Sequence, residues 1–271
     1  MKIKNKKIAV CLFGMPPSKC NKHINVVKDI SFTCWEKNII KKNNPDFFIH
    51  CWDENDPDKL DSKFKPKIKK FENNIVFDKD GSRSYDYDDG GGTVINMFKS
   101  QAYSAKKSIE LKKRYETANK FHYDLVMMSR IDLLWLTEIN LKILDNNYFY
   151  ISNWNQSRNG KRFWRPLGSK SNYTTIRRKY RKILDYWFIS NSKNIDIFSN
   201  LFDFIPEWLI KNNEKKVIIS NHTLKKDYLI ETGLWDIKKF LYFEHYDHNI
   251  QRYFYQFKDN ERKFFRNLMN S

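Results

Sequence analysis

The segment Tyr123-Asp-Leu-Val-Met-Met-Ser-Arg-Ile-Asp132 constrains the fold more than any other part of the chain. Its centre is solidly apolar, the mark of a strand covered on both faces, and such strands belong to parallel sheets packed between helices. The run ends abruptly in Arg130 and Asp132, and in open α/β sheets the C-terminal ends of the strands are where ligands bind. Lys7-Ile-Ala-Val-Cys-Leu-Phe-Gly14, closed by glycine and then by Pro16 and Pro17, is a second strand of this kind. From about 24 to 42, Val26, Val27, Ile30, Cys34, Trp35, Ile39 and Ile40 recur at three- and four-residue steps on one helix face, and Pro45 stops the pattern. Asp46-Phe-Phe-Ile-His-Cys-Trp52 is the next apolar run. The three pieces spell a βαβ unit, the start of a doubly wound, mainly parallel sheet with helices on both faces.

Further along, Ile75 to Phe77 is a weak strand candidate, and Tyr85 to Gly92, reading YDYDDGGG, is turn chemistry. The helix that follows carries Val94, Phe98, Ala102, Ala105 and Ile109 on one stripe as far as about Ala118. Strands are expected at Tyr148 to Ile151, Asp185 to Ser190 and Phe240 to Phe243. Helices are expected over 195–210, interrupted at Pro206, and over 223–231, ended by Gly233. No repeat, low-complexity linker or break in composition marks a second domain. One α/β domain is expected over 1–271, with 153–183 as a basic loop or flap and 249–271 as a basic-aromatic helical tail.

A content of 41% hydrophobic and 16% aromatic residues excludes a disordered chain. The formal charge of +18 points to anionic partners, and nucleic acid, an acidic membrane surface, a nucleotide diphosphate and a phosphorylated acceptor all qualify. Cys11, Cys20, Cys34 and Cys51 show no zinc spacing and read as buried thiols of a reducing compartment. With neither a cleavable signal nor an apolar run long enough to span a bilayer, a cytoplasmic chain is expected, with peripheral contact to anionic membrane as an option.

Five phrases in order, IAVCLFG, PDFFIHCWD, NMFKSQAYS, YDLVMMSRIDLLW and YWFISNSKNIDIF, resemble a family of small GT-A glycosyltransferases found in polysaccharide gene clusters and in large DNA viruses. The resemblance covers roughly the first 230 residues. It implies a nucleotide-diphospho-sugar donor, UDP- or GDP-linked, and a glycan or lipid-linked acceptor. In that family R-x-D stands where others carry the metal-binding D-x-D. By resemblance, Asp132 would hold a divalent cation, Mn or Mg, across the donor's two phosphates, with Arg130 close to them and His245 as a second ligand; metal independence is the open alternative. Chemistry is compatible with this, because a departing diphosphate gains negative charge that a hard cation and a guanidinium fork both stabilise. Gly14 and Lys19, in the first crossover, would face the nucleotide. Relatives often have an arginine in this loop, whereas here only Lys19 offers a cation. Asn96, Gln101 and Tyr103 would point at sugar or phosphate, and Asp185 would serve as the base an inverting reaction needs.

Each of these residues also has a plain structural reading, for Arg130 and Asp132 an ion pair capping a strand end. The Asp86-Tyr-Asp88-Asp89 segment imitates D-x-D and an EF-hand opening, but Met97 falls where a calcium loop needs glutamate, so it ranks below Asp132. Between Lys161 and Lys182, nine Lys or Arg residues alternate with aromatics, the feature that best suits a rival reading as a non-enzymatic nucleic-acid-binding protein. No nucleic-acid motif accompanies it. A third reading is a GT-A fold that only binds glycan. Sugar transfer rests on one spatial expectation: the Asp132 carboxylate emerges into an open cleft, beside a guanidinium, where a pyrophosphate can lie.

Overall fold

A computed structural model of the chain describes residues 6–17, 30–56, 59–77, 83–86, 91–153, 183–214, 221–243 and 248–250. Their centre is a seven-stranded sheet. Its strands are β1 (Ile8–Gly14), β2 (Asp46–Cys51), β3 (Ile68–Phe71), β6 (Leu125–Arg130), β8 (Phe149–Asn153), β9 (Ile183–Ser190) and β10 (Lys238–Phe243), in the order β10-β8-β9-β6-β1-β2-β3. All neighbours pair in parallel except β9, which runs antiparallel to both β6 and β8. Two ribbons stand apart: β4 (Arg83–Asp86) with β5 (Gly91–Val94), and β7 (Leu133–Trp135) with β11 (His248–Ile250).

The helices are α1 (Ile30–Trp35), continued through a π turn (Glu36–Ile40) into α2 (Lys41–Asn43), then α3 (Leu60–Phe64), α4 (Ile95–Asn119), α5 (Ser192–Phe198), α6 (Leu201–Glu214) and α7 (Asn221–Glu231). Among the described residues no helix is long and apolar enough to cross a membrane.

β1 shows why the layers form. All its residues but Gly14 are buried, and alternate side chains serve two cores. Ala9, Cys11 and Phe13 pack with Phe98, Ala102 and Ile109 of α4 and with α5 to α7. Ile8, Val10 and Leu12 pack on the other face with Trp35, Ile39 and Phe64. A strand apolar on both sides needs a helical layer on each, since every uncovered side chain forfeits roughly 1.5–3 kcal/mol of burial. The second face is rich in indole: Trp135 lies 6.1 Å from Trp35 and 5.7 Å from Trp187. Cys11, Cys34 and Cys51 are buried thiols, and burial pushes the Cys34 thiol up to about 11, so it is inert at neutral pH.

Several boundaries differ from the sequence reading. The strand beside β2 is Ile68–Phe71, not Ile75 to Phe77. It is the edge of the sheet, so Lys69 and Lys70 face solvent and the apolar signal shrinks to its two ends, whereas Ile75 and Val76 are exposed. The helical stretch after β9 breaks at Ser199 and Asn200, between α5 and α6, not at Pro206. Pro206 sits in the second turn of α6, where its missing N–H removes one hydrogen bond without ending the helix. The strand expected from Asp185 begins at Ile183, so Asp185 is the third residue of β9, and it is buried. His248–Ile250 is a strand against Leu133–Trp135, so no helix starts at Asn249; the rest of the expected tail, like the 154–182 stretch of the expected flap, lies outside the described residues.

Three strands and one helix are tied at the carboxyl edge of the sheet by a buried relay. Gly14, at φ +114°, a conformation glycine adopts at least strain, donates its N–H to Ser104 Oγ at 2.9 Å. Ser104 Oγ lies 2.7 Å from His50 Nδ1, and His50 Nε2 lies 2.7 Å from Glu72 Oε1. With the imidazole neutral and its proton on Nε2, each of the three hydrogen bonds has one donor and one acceptor. Burial drives His50 below its ordinary value despite Glu72. Over the interval between the folded value and the ordinary 6.5, the unfolded chain therefore binds more protons than the folded one. Stability should be full above about pH 6.5 and fall as pH drops through that interval. Urea titrations across that range should show this fall in the wild type and a flatter profile in His50→Gln; equal slopes would contradict it.

Candidate functional site

β1 has β2 on one side and β6 on the other, so the order of strands reverses between β1 and β6. The crevice outside the carboxyl ends at such a point is where open α/β sheets take ligands. Arg130, the last residue of β6, is in register with Phe13 at the end of β1. Because β9 is antiparallel, its beginning lies at the same edge, with Trp187 opposite Ser129, and this carries Asp185 toward Arg130. Gln101 of α4 and Asn221, His222 and Lys225 of α7 complete the group.

Arg130 and Asp132 form a two-pronged ion pair: Nε donates to Oδ1 at 2.7 Å and Nη2 to Oδ2 at 2.6 Å. The Arg130 side chain is 17% exposed, and Asp132 is 2% exposed. Burial works against the guanidinium's charge, but Asp132, then Asp185 and Tyr186, outweigh it and keep Arg130 cationic. The Tyr186 ring lies 5.8 Å from the guanidinium carbon, within range of a cation–π contact.

One part of the spatial expectation is met, since the guanidinium stands beside the carboxylate. The other is not. Asp132 is buried, and both its oxygens are engaged by Arg130. Asp132 is expected to hold a cation; in this structure Arg130 occupies both its oxygens. Among the described residues no group of three or more His, Cys, Asp or Glu side chains is placed to hold a metal ion. His245 and Lys19 lie outside the described residues.

Asp185 is buried, and its Oδ2 accepts from Asn221 Nδ2 at 2.9 Å and from Lys225 Nζ at 3.1 Å. Burial alone would raise its pKa; Lys225 first, then His222 and Arg130, reverse this and hold the carboxyl well below the usual carboxylate range. In this structure Asp185, expected as the catalytic base, is the anion that holds Lys225 and the start of α7 against the sheet. Gln101 joins it: its Oε1 accepts from Lys225 Nζ at 3.1 Å and from Asn221. Asn221 Oδ1 has no partner among the described residues.

The other predicted residues divide. Gly14 sits at the site's rim and turns the chain after β1. Asn96 accepts the backbone N–H of Phe77 at 2.6 Å, which gives it a part in fastening the 75–77 segment rather than facing Arg130. Tyr103 stacks on Trp52 at 5.5 Å and packs against Phe77 and Phe202. Asn221, His222 and Lys225 escaped the sequence reading. Their one signal is the i, i+4 spacing of Asn221 and Lys225, which puts both on one face of α7, a pattern too common to single out.

A second buried charge cluster, Lys112 with Glu116 at 2.9 Å and Asp196 at 2.8 Å, closes the opposite edge. Ser192 donates to Glu116 at 2.7 Å, so the cluster is internally paired and reads as structural. No protein-family model matches the chain, and no curated protein matches it either.

Asp185 and Lys225 make a clear prediction. Asp185→Asn or Lys225→Met alone leaves a buried charge unpaired and should destabilise by about 3–5 kcal/mol, whereas the double variant should lose clearly less than the sum. Urea denaturation of the four proteins checks this, and additive losses would contradict it.

Proposed function

We propose that the chain is a glycosyltransferase of the GT-A type, moving a sugar from a nucleotide-diphosphate donor to a hydroxyl of a glycan or lipid-linked acceptor. The observation that carries the reading is Arg130: a guanidinium fixed at the carboxyl end of a central strand, at the point where strand order reverses. The mainly parallel sheet between two helical layers is of the kind the sequence resemblance implies. The Asp132 carboxylate, expected in an open cleft, is buried and paired, so the proposal rests on Arg130 and the place it holds in the sheet.

In such a transfer the bond from the sugar's anomeric carbon to the diphosphate oxygen breaks and its electron pair leaves with the diphosphate. The acceptor hydroxyl oxygen forms the new bond to the anomeric carbon, and its proton is released to water. Negative charge grows on the leaving diphosphate, and a cation already in place stabilises it without reorganising during the reaction. Arg130 is such a cation. The +18 charge of the chain raises the local concentration of any anionic donor.

A thermal-shift screen of UDP- and GDP-linked sugars tests this. A donor at a hundred times its dissociation constant should stabilise the protein by about 2.7 kcal/mol, a shift of a few degrees. Slow hydrolysis of the same donor should accompany it. A salt-sensitive shift with RNA and none with any nucleotide would overturn the reading in favour of nucleic-acid binding.

A further inference from the structure

We infer that Arg130 takes the part of a divalent cation at this site: the ligand's diphosphate lies on the guanidinium's outer edge, and Asp132 positions that guanidinium instead of holding a metal. This rests on the sugar-nucleotide reading and names the group that meets the phosphates.

The pairing geometry carries it. A guanidinium has five N–H donors arranged in a planar fork. Asp132 takes the Nε–H and one Nη2–H. Three N–H groups remain, two on Nη1 and one on Nη2, with no further partner for them among the described residues. They include a second two-pronged edge, turned away from Asp132, of the shape that grips phosphate oxygens. The two prongs to a sealed carboxylate restrict rotation of the guanidinium, so the outer edge is aimed before a ligand arrives. Less conformational entropy is then lost on binding than for an untethered arginine.

A cation on Asp132 is hard to reconcile with the same geometry. It would have to replace Arg130 on the carboxylate and then stand within a few ångströms of the displaced guanidinium, where like charges repel strongly in a poorly solvated site. Asp185 offers no better place, because Lys225 and Asn221 already hold its Oδ2 and His222 Nδ1 stands 3.7 Å from its Oδ1.

The test is calorimetric titration of the full-length chain with UDP and with GDP, once in EDTA and once with excess Mn. Wild-type affinity should be the same in both buffers to within about twofold. In EDTA, Arg130→Met should weaken binding roughly tenfold to a hundredfold. Asp132→Asn should weaken it in wild type and have no further effect in an Arg130→Met background. A purely structural Asp132 would not show that non-additivity. The double variant leaves neither charge unpaired, so it also controls for folding, followed by circular dichroism. Affinity that rises about tenfold or more with Mn would overturn the inference and leave the sugar-nucleotide reading standing. Unchanged EDTA affinity in folded Arg130→Met or Asp132→Asn would overturn it as well. If neither nucleotide binds in either buffer, both fall.

Discussion

Everything in this molecule follows from the parallel pairing of β1 with β6. Both strands are apolar on both faces, so neither tolerates water on either side, and their union forces a helical layer above and another below. What the middle of such strands excludes collects at their ends. Serine and arginine finish β6 and aspartate follows in the turn, while glycine finishes β1 at a backbone angle that turns the chain out of the sheet.

The two edges of the sheet manage their charges differently. At the amino edge, Lys112 is surrounded by Glu116, Ser192 and Asp196, its donors used internally. At the carboxyl edge, Asp185 and Lys225 form a comparable closed pair, but Arg130 beside them satisfies its carboxylate with only one of its edges. A buried ion pair adds little net stability over a well-packed apolar pair of the same volume. One that holds an arginine with donors to spare is better explained by what those donors can bind.

Much of the fold was legible because burial on two faces leaves solid apolar runs. β1, β2 and β6 needed nothing else, and Gly233, at φ +73°, ended α7 where turn chemistry said it would. β3 was not legible because an edge strand shows its lysines, and the break between α5 and α6 was not because Ser199 and Asn200 are weaker punctuation than the proline that draws the eye. At the site, an apolar run ending in Arg130 and Asp132 identified the place but not the state of its carboxylate. Whether an aspartate two residues after an arginine faces a cleft or its neighbour depends on side-chain rotamers that spacing cannot encode. Lys225, which holds Asp185, comes from forty residues further along the chain and was invisible for the same reason.

The role of Arg130 is tested most directly by a structure of the protein with UDP or GDP bound. Diphosphate oxygens should lie about 2.7–2.9 Å from Nη1 and Nη2 of Arg130, with both prongs to Asp132 intact. A diphosphate bound through a cation on Asp132, with the guanidinium turned away, or a nucleotide seated anywhere else on the molecule, would contradict it.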